Sequence, residues 1–191
     1  MELPLTSIAV GVGLSAACGF RVFVPLLLMS GASLLGHLEL SPEFAWVGTY
    51  RALVGFGVAT ALEIIAYSIP WLDNALDAIA TPTAMGAGVL ASASMLGDTS
   101  PLIQWTLSII AGGGVAGLVQ GGTVAARAGS TATTGGLGNI LVALGEGVAA
   151  VGTALLAIFA PFIALAVVLA LSIVLVRQLI RWRHRRSTSR P

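Results

Sequence analysis

The sequence predicts an all-α protein, a polytopic transmembrane helical bundle of about five spans, or six if broken or re-entrant segments are counted separately. Three observations carry this. Apolar residues make up 57% of the 191 residues and charged residues only 9%, with a mean hydropathy of +0.97. An average soluble domain holds about 25% charged residues, so this chain has too few to clothe a water-facing surface. The apolar residues fall into long runs separated by short polar segments. The last run ends in an arginine-rich tail.

The first apolar run extends from about Leu5 to Leu35 and is interrupted by Arg21 and Pro25. It is too long for a signal peptide and has no basic region before it, so it reads as a retained span. Residues 36–50 carry His37, Glu39, Pro42, Glu43, Trp46 and Tyr50, the mixture expected of a loop with an interfacial entry. A second span is expected over about Ala52 to Trp71, then a polar helical stretch over residues 73–80. A small-residue span follows from about Pro82 to Leu96, closed by the turn signal Gly97-Asp98-Thr99-Ser100-Pro101. The fourth span runs from about Leu102 to Ala126, and Arg127 to Gly138 reads as a Gly/Thr-rich loop. The final run, Asn139 to Val176, exceeds the ~20 residues that one span needs. Pro161 divides it, into either one kinked helix or a re-entrant piece and a span. Five spans with a cytoplasmic C-terminus place the N-terminus outside.

The charge is distributed unevenly. There is no lysine, and six of the nine basic residues are Arg177, Arg181, Arg183, Arg185, Arg186 and Arg190. A basic cluster directly after a long apolar helix marks a cytoplasmic end. The expected division is therefore a transmembrane helical domain over residues 1–178 and a basic cytoplasmic tail over 179–191. The bilayer is the expected partner and nucleic acid is not. Cys18 is the single cysteine, so no internal disulfide is available and a small buried hydrophobe is its expected role.

Charges inside apolar runs cost roughly 2.5–3.5 kcal/mol each on insertion scales, so they are turned towards a protein interior or a wet cavity. Arg21, Glu63, Arg127 and Glu146 are in this position. At helical spacing Glu63, Tyr67, Pro70, Asn74 and Asp77 share one face, with Asp73 beside it. Asp73 and Asp77 stand one turn apart, near enough to serve one cation. Glu63, Asp73 and Asp77 are thus the candidate lining of an acidic path, with Arg21, Arg127 and Glu146 completing a buried network. The structural alternative is that Glu63 pairs with Arg21 or Arg127 and ties helices together. Pro25, just after Arg21, is expected to bend the first helix.

Gly113, Gly117 and Gly121 recur every four residues, a doubled small-xxx-small pattern that lets helices approach closely. Arg21 and Arg127 each stand near a Gly-rich helix, a weak sign of an internal repeat. No lysine follows Gly112-Gly113-Gly114, so it is not a phosphate loop. His37 and His184 lie in a loop and in the tail, and no Ser-His-Asp set or metal-ligand spacing occurs. Neither catalysis nor a cofactor or metal is expected.

The run Glu63-Ile-Ile-Ala66-Tyr67-Ser68-Ile69-Pro70-Trp-Leu-Asp73-Asn-Ala-Leu-Asp77 resembles a motif of small bacterial membrane proteins grouped as domain of unknown function 4126. The resembled pattern is Glu-x-x-Ala-Asp-Lys-Ile-Pro-x-x-Asp-x-x-x-Asp, matched at Glu63, Ala66, Ile69, Pro70, Asp73 and Asp77. The chain departs from it at Tyr67 and Ser68. Ala128 to Ala132, continuing through Asn139 to Glu146, resembles a second signature. Ser130-Thr131 there replaces an arginine step, and Thr134-Gly135-Gly136 replaces a Ser-Pro-Glu-Pro-like stretch. The resemblance implies a multi-pass bacterial inner-membrane protein and no particular activity.

Three function classes follow. The leading expectation is a small solute or ion transporter, or a channel-like protein, with a buried acidic path and assembly as a homo-oligomer. The alternative is a membrane scaffold or assembly factor whose buried charges only tie helices together. A lipid-modifying enzyme is a third and weaker class.

Overall fold

The computed structural model describes residues 5–67, 70–97 and 99–187; within these, the side chains of 70–78, 179 and 182–187 are outside the description. The described residues form helices α1 (Leu5–Phe20), α2 (Phe23–Leu34), α3 (Tyr50–Tyr67), α4 (Pro70–Ala93), α5 (Pro101–Leu107), α6 (Gly114–Thr134), α7 (Asn139–Phe159) and α8 (Pro161–Ser187). A 3₁₀ turn covers Pro42–Gly48, and a π-helical turn, Ser108–Gly113, fuses α5 to α6.

The chain is inside-out relative to a soluble domain. Its buried positions are rich in alanine, glycine and serine, while Val148, Leu141 and Ile110 are 75%, 73% and 70% exposed. Lipid solvates such side chains, and small residues let the helix backbones close on one another. Four stretches are long and apolar enough to cross a membrane: Tyr50–Tyr67, Pro101–Thr134, Asn139–Phe159 and Pro161–Gln178. Leu5–Phe20, Phe23–Leu34 and Ile79–Ala93 are shorter apolar helices. The chain is a multi-pass membrane protein.

α1 sits at the centre. It runs antiparallel to α4, with Gly11 against Ser92 and the Ser15 hydroxyl 2.7 Å from the Gly88 carbonyl. It runs antiparallel to α7, from Gly13 beside Ala157 to Arg21 beside Ala143. It runs parallel to α6, through Gly19 against Ala116, and to α8, through Gly13 against Ala164.

The first apolar run departs from the expected kinked span. After Phe20 the chain reverses, and α2 returns alongside α1. The segment after it reaches the level of the N-terminal half of α1: the His37 ring meets the Phe159 ring at 5.7 Å, and Ser41 N–H donates to the Ser94 carbonyl at 2.8 Å. The two helices form a re-entrant hairpin. α1 rises only about 22 Å from Leu5 to Phe20 at 1.5 Å per residue, short of the ~30 Å hydrocarbon thickness.

Three further expectations are corrected. Residues 73–80 and the span after Pro82 form one helix, α4, with Pro82 inside it. Arg127 to Thr134 is not loop but the last two turns of α6. The reversal is confined to Gly135–Gly138, where Gly135 and Gly136 take φ of +64° and +94°, a region glycine enters without steric cost. The final apolar run is a hairpin of two long helices, reversing at Ala160 because Pro161 supplies no N–H and starts α8 with φ already set. The apolar part of α8 ends at Gln178, and the helix continues through the arginine-rich segment to Ser187.

The glycine stripe in α6 is offset from the closest approach. A Cβ on Gly112 would lie 2.6 Å from the Gly88 carbonyl oxygen and 2.7 Å from the Ser92 Cβ, whereas one on Gly121 would meet nothing within 4 Å. Gly113 and Gly117 pack on Val89 and Met85 with little room to spare. The π turn shifts the register by one residue and brings Gly112 to the α4 backbone. Replacing Gly112 with alanine is therefore expected to lower stability by about 1–3 kcal/mol, the range for overpacking. Gly121→Ala should leave it unchanged or slightly raised. Unfolding of both variants in mixed detergent micelles checks the contrast.

Candidate functional site

The hairpin tip creates a local problem that fixes the site. A helix start leaves its first four N–H groups without intrahelical partners, and such groups are costly in hydrocarbon. For α2 these positions are Val22, Phe23, Val24 and Pro25, and the first three carry an N–H. Glu63, on the antiparallel α3, reaches across and takes two of them. Val22 N–H donates to Oε1 at 2.9 Å and Phe23 N–H to Oε2 at 3.2 Å. Pro25 has no N–H to satisfy. The carboxylate also faces the positive end of the α2 dipole. Glu63 is thus the cap of a helix forty residues away in sequence.

Around the tip, the α1–α2 turn, α3, α6 and α7 each deliver ionisable side chains to one place. Arg127 on α6 and Glu146 on α7 form a bidentate ion pair. Arg127 Nε donates to Oε1 at 2.9 Å, and Nη2 donates to Oε2. The two residues are 3% and 5% exposed. Arg21, itself 5% exposed, donates from Nη2 to the Ala143 carbonyl at 2.9 Å and stands 4.0 Å from Glu146 Oε2. Both guanidinium groups lie over the Tyr67 ring, Arg21 at 4.2 Å and Arg127 at 4.1 Å from its centroid. Such contacts reach about 2 kcal/mol when desolvated. Two arginines and two glutamates offset one another's charge, which makes their burial tolerable.

Depth follows from α7. Glu146 lies seven residues from Asn139 and thirteen from Phe159, about 10 Å and 20 Å along the helix axis. The cluster therefore sits inside the span, nearer the end that also carries the Gly135–Gly138 turn and the arginine-rich continuation of α8.

Two cavities flank it. One, of about 500 Å³, lies between α2, α3 and α7 and is lined by Arg21, Tyr67 and apolar side chains. The other, of about 230 Å³, lies between α1, α6, α7 and α8 and is lined by Glu146, Phe20 and Thr123 among others. α7 separates them with Gly145 on one side and Gly147 on the other, where a Cβ would meet nothing within 4 Å.

Four of the six predicted path residues, Arg21, Glu63, Arg127 and Glu146, are thus brought together. The single face expected from Glu63 to Asp77 is not one helix, because α3 ends at Tyr67 and α4 begins at Pro70. The side chains of Asp73 and Asp77 lie outside the described residues. No group of three or more potential metal ligands occurs among the described residues. Tyr67 stands on the predicted stripe, where its spacing alone implies no role. Its signal was its position one turn after Glu63, on the same face. The backbone partners at Val22, Phe23 and Ala143 had no signal in side-chain chemistry.

The model of a family described as a domain of unknown function, DUF4126, matches residues 8–181. No curated protein and no solved structure matches the chain.

Breaking the Arg127–Glu146 pair from one side strands a buried charge. Arg127→Met or Glu146→Leu alone is expected to cost about 3–5 kcal/mol, and the double variant less than the sum of the two. A double-mutant cycle of unfolding in micelles measures this coupling.

Proposed function

Because the chain belongs to the DUF4126 family, whose description assigns no activity, we propose its function from the site: it is a small solute or ion transporter, and the charge cluster at the hairpin tip is its binding centre. One observation carries this reading. The buried cluster stands between two cavities, Arg21 lining one and Glu146 the other. A cluster that served only to join helices needs no space on either side. A broken helix with its tip near a charged centre is also how membrane proteins present backbone groups to a solute at depth.

In this reading Arg127 holds Glu146 by two hydrogen bonds, while Arg21 touches the same carboxylate only at 4.0 Å. Arg21 is the group free to exchange its partner for a solute. Gly145 and Gly147 keep α7 thin where it separates the cavities. The protein moves its ligand without covalent chemistry. The arginine-rich end of α8 lies in the cytoplasm of a bacterial cell, held there by the positive-inside preference. The cluster then lies nearer the cytoplasmic side, and Leu5 lies on the opposite side.

The test is flux. Purified protein in proteoliposomes is assayed for movement of protons, inorganic cations, chloride, phosphate, small carboxylates and single-chain fatty acids. Flux of at least one class is expected, cut at least tenfold by Glu146→Gln and by Gly145→Leu, which fills the smaller cavity. Absence of flux for every class in folded protein overturns the transport reading and leaves the scaffold.

A further inference from the structure

We infer that the larger cavity is a binding groove for an anionic amphiphile drawn from the bilayer: a carboxylate or phosphate monoester head at Arg21, with a single acyl chain along α7. This rests on the site just described and names the substrate class it would take.

The groove is the first observation. Its volume of about 500 Å³ lies within the ~300–1,000 Å³ typical of ligand pockets. Apart from Arg21 and Tyr67, its lining among the described residues is aliphatic or glycine. Ile64, Leu144 and Val148 on its rim are 55%, 63% and 75% exposed, so it opens sideways, where lipid chains lie. Along α7 it extends from Ile140 to Val151, eleven residues or about 16 Å. That is an elongated apolar slot, a shape that suits a chain better than a compact polar solute.

The second observation is Arg21 itself. It is 5% exposed, it lines the groove, and its Nε and Nη1 have no hydrogen-bond partner among the described residues. These two nitrogens carry three of the five guanidinium N–H bonds. A buried donor left unmade costs about 1–3 kcal/mol, more for a charged group. Among the described residues only Nη2 is committed, to Ala143. A short swing of the guanidinium presents the remaining donors to the groove it already lines. A carboxylate or phosphate matches them in charge and in geometry, whereas a neutral head supplies no charge. The surrounding wall offers no other described cation, so one head per groove is expected.

The placement of head and tail follows. Arg21 lies beside Ala143, near the Asn139 end of α7, and the slot continues from there past Val148 to Val151. The head sits about 6 Å in from that end of the helix, and the chain points towards the Phe159 end.

Photolabelling tests this directly. The protein is placed in phosphatidylcholine nanodiscs and irradiated with a sixteen-carbon fatty acid bearing a mid-chain diazirine; labelled residues are then mapped by mass spectrometry. Labelling of Leu144, Val148 or Val151 is expected. Oleate and lysophosphatidate should compete, while methyl oleate, acetate and inorganic phosphate should not. Arg21→Gln should weaken oleate competition at least tenfold. Since Arg21→Gln acts at the hairpin tip and can disturb folding, Gly147→Leu is the second variant: a Cβ there meets nothing, and the added side chain fills the slot. It should abolish labelling in protein that still unfolds cooperatively. Equal competition by methyl oleate, or labelling unchanged by Gly147→Leu, overturns the proposal. Competition by acetate or phosphate alone also overturns it, because the site would then take a water-borne anion. Labelling without any flux retains the groove and removes transport; flux without labelling does the reverse.

Discussion

A single carboxylate decides whether this chain can turn inside a membrane. Reversal after Phe20 exposes the N–H groups of a helix start at a depth where no water is available to bind them. Glu63 accepts two of those groups and sets a negative charge at the positive end of α2. The hairpin in turn places Arg21 at its tip, against Tyr67 and beside Glu146. The arrangement of α3, α6 and α7 around that tip is the price of the turn. Remove the cap, and neither the reversal nor the gathering of charges has a reason to persist.

The rest of the bundle is arranged so that the backbones can come this close. α1 is encircled by α4, α6, α7 and α8, and it can be because glycine, alanine and serine fill its contacts. Gly13, Gly19, Gly88 and Gly112 each leave less space than a methyl group requires. Large aliphatic side chains are sent outward to lipid, where they lose nothing. The Ser15 hydroxyl, 2.7 Å from both the Gly11 and Gly88 carbonyls, adds a polar tie between α1 and α4. At the other end of the bundle, Ser41 to Ser94, Ser30 to Val47 and Gln104 to Ala93 anchor the connecting segments by hydrogen bonds to backbone.

Much of this was legible in the sequence. The scarcity of charge identified the solvent as lipid, and the rarity of charge within apolar runs singled out the four residues that meet. The break near Arg21 was visible as well, because Pro25 cannot continue a helix unaided. What the sequence did not reveal was the direction of the chain after that break, which depends on a hydrogen bond from a residue forty positions away. The Gly/Thr-rich stretch after Arg127 looked like a loop because its composition has low helix propensity. It is helical to Thr134 since, in hydrocarbon and at its margin, intrahelical bonding outweighs that small preference. The closest glycine contact falls one residue away from the stripe of Gly113, Gly117 and Gly121, because an α-helical period cannot anticipate a π turn. Tyr67 drew little attention because an aromatic residue in an apolar run is ordinary; its position between two guanidinium groups is set only by the fold.

The claim on which the account rests is the reversal at the hairpin tip, and a distance measures it. Leu5 and Leu35 are both exposed, at 70% and 75%, and accept spin labels without disturbing the core. Pulsed electron–electron double resonance in nanodiscs should give a label separation on the order of 15–25 Å, as for neighbouring helices whose outer ends share one side of the bundle. A separation of about 45 Å, the rise of thirty residues in one continuous helix, would contradict the hairpin and with it the role given to Glu63.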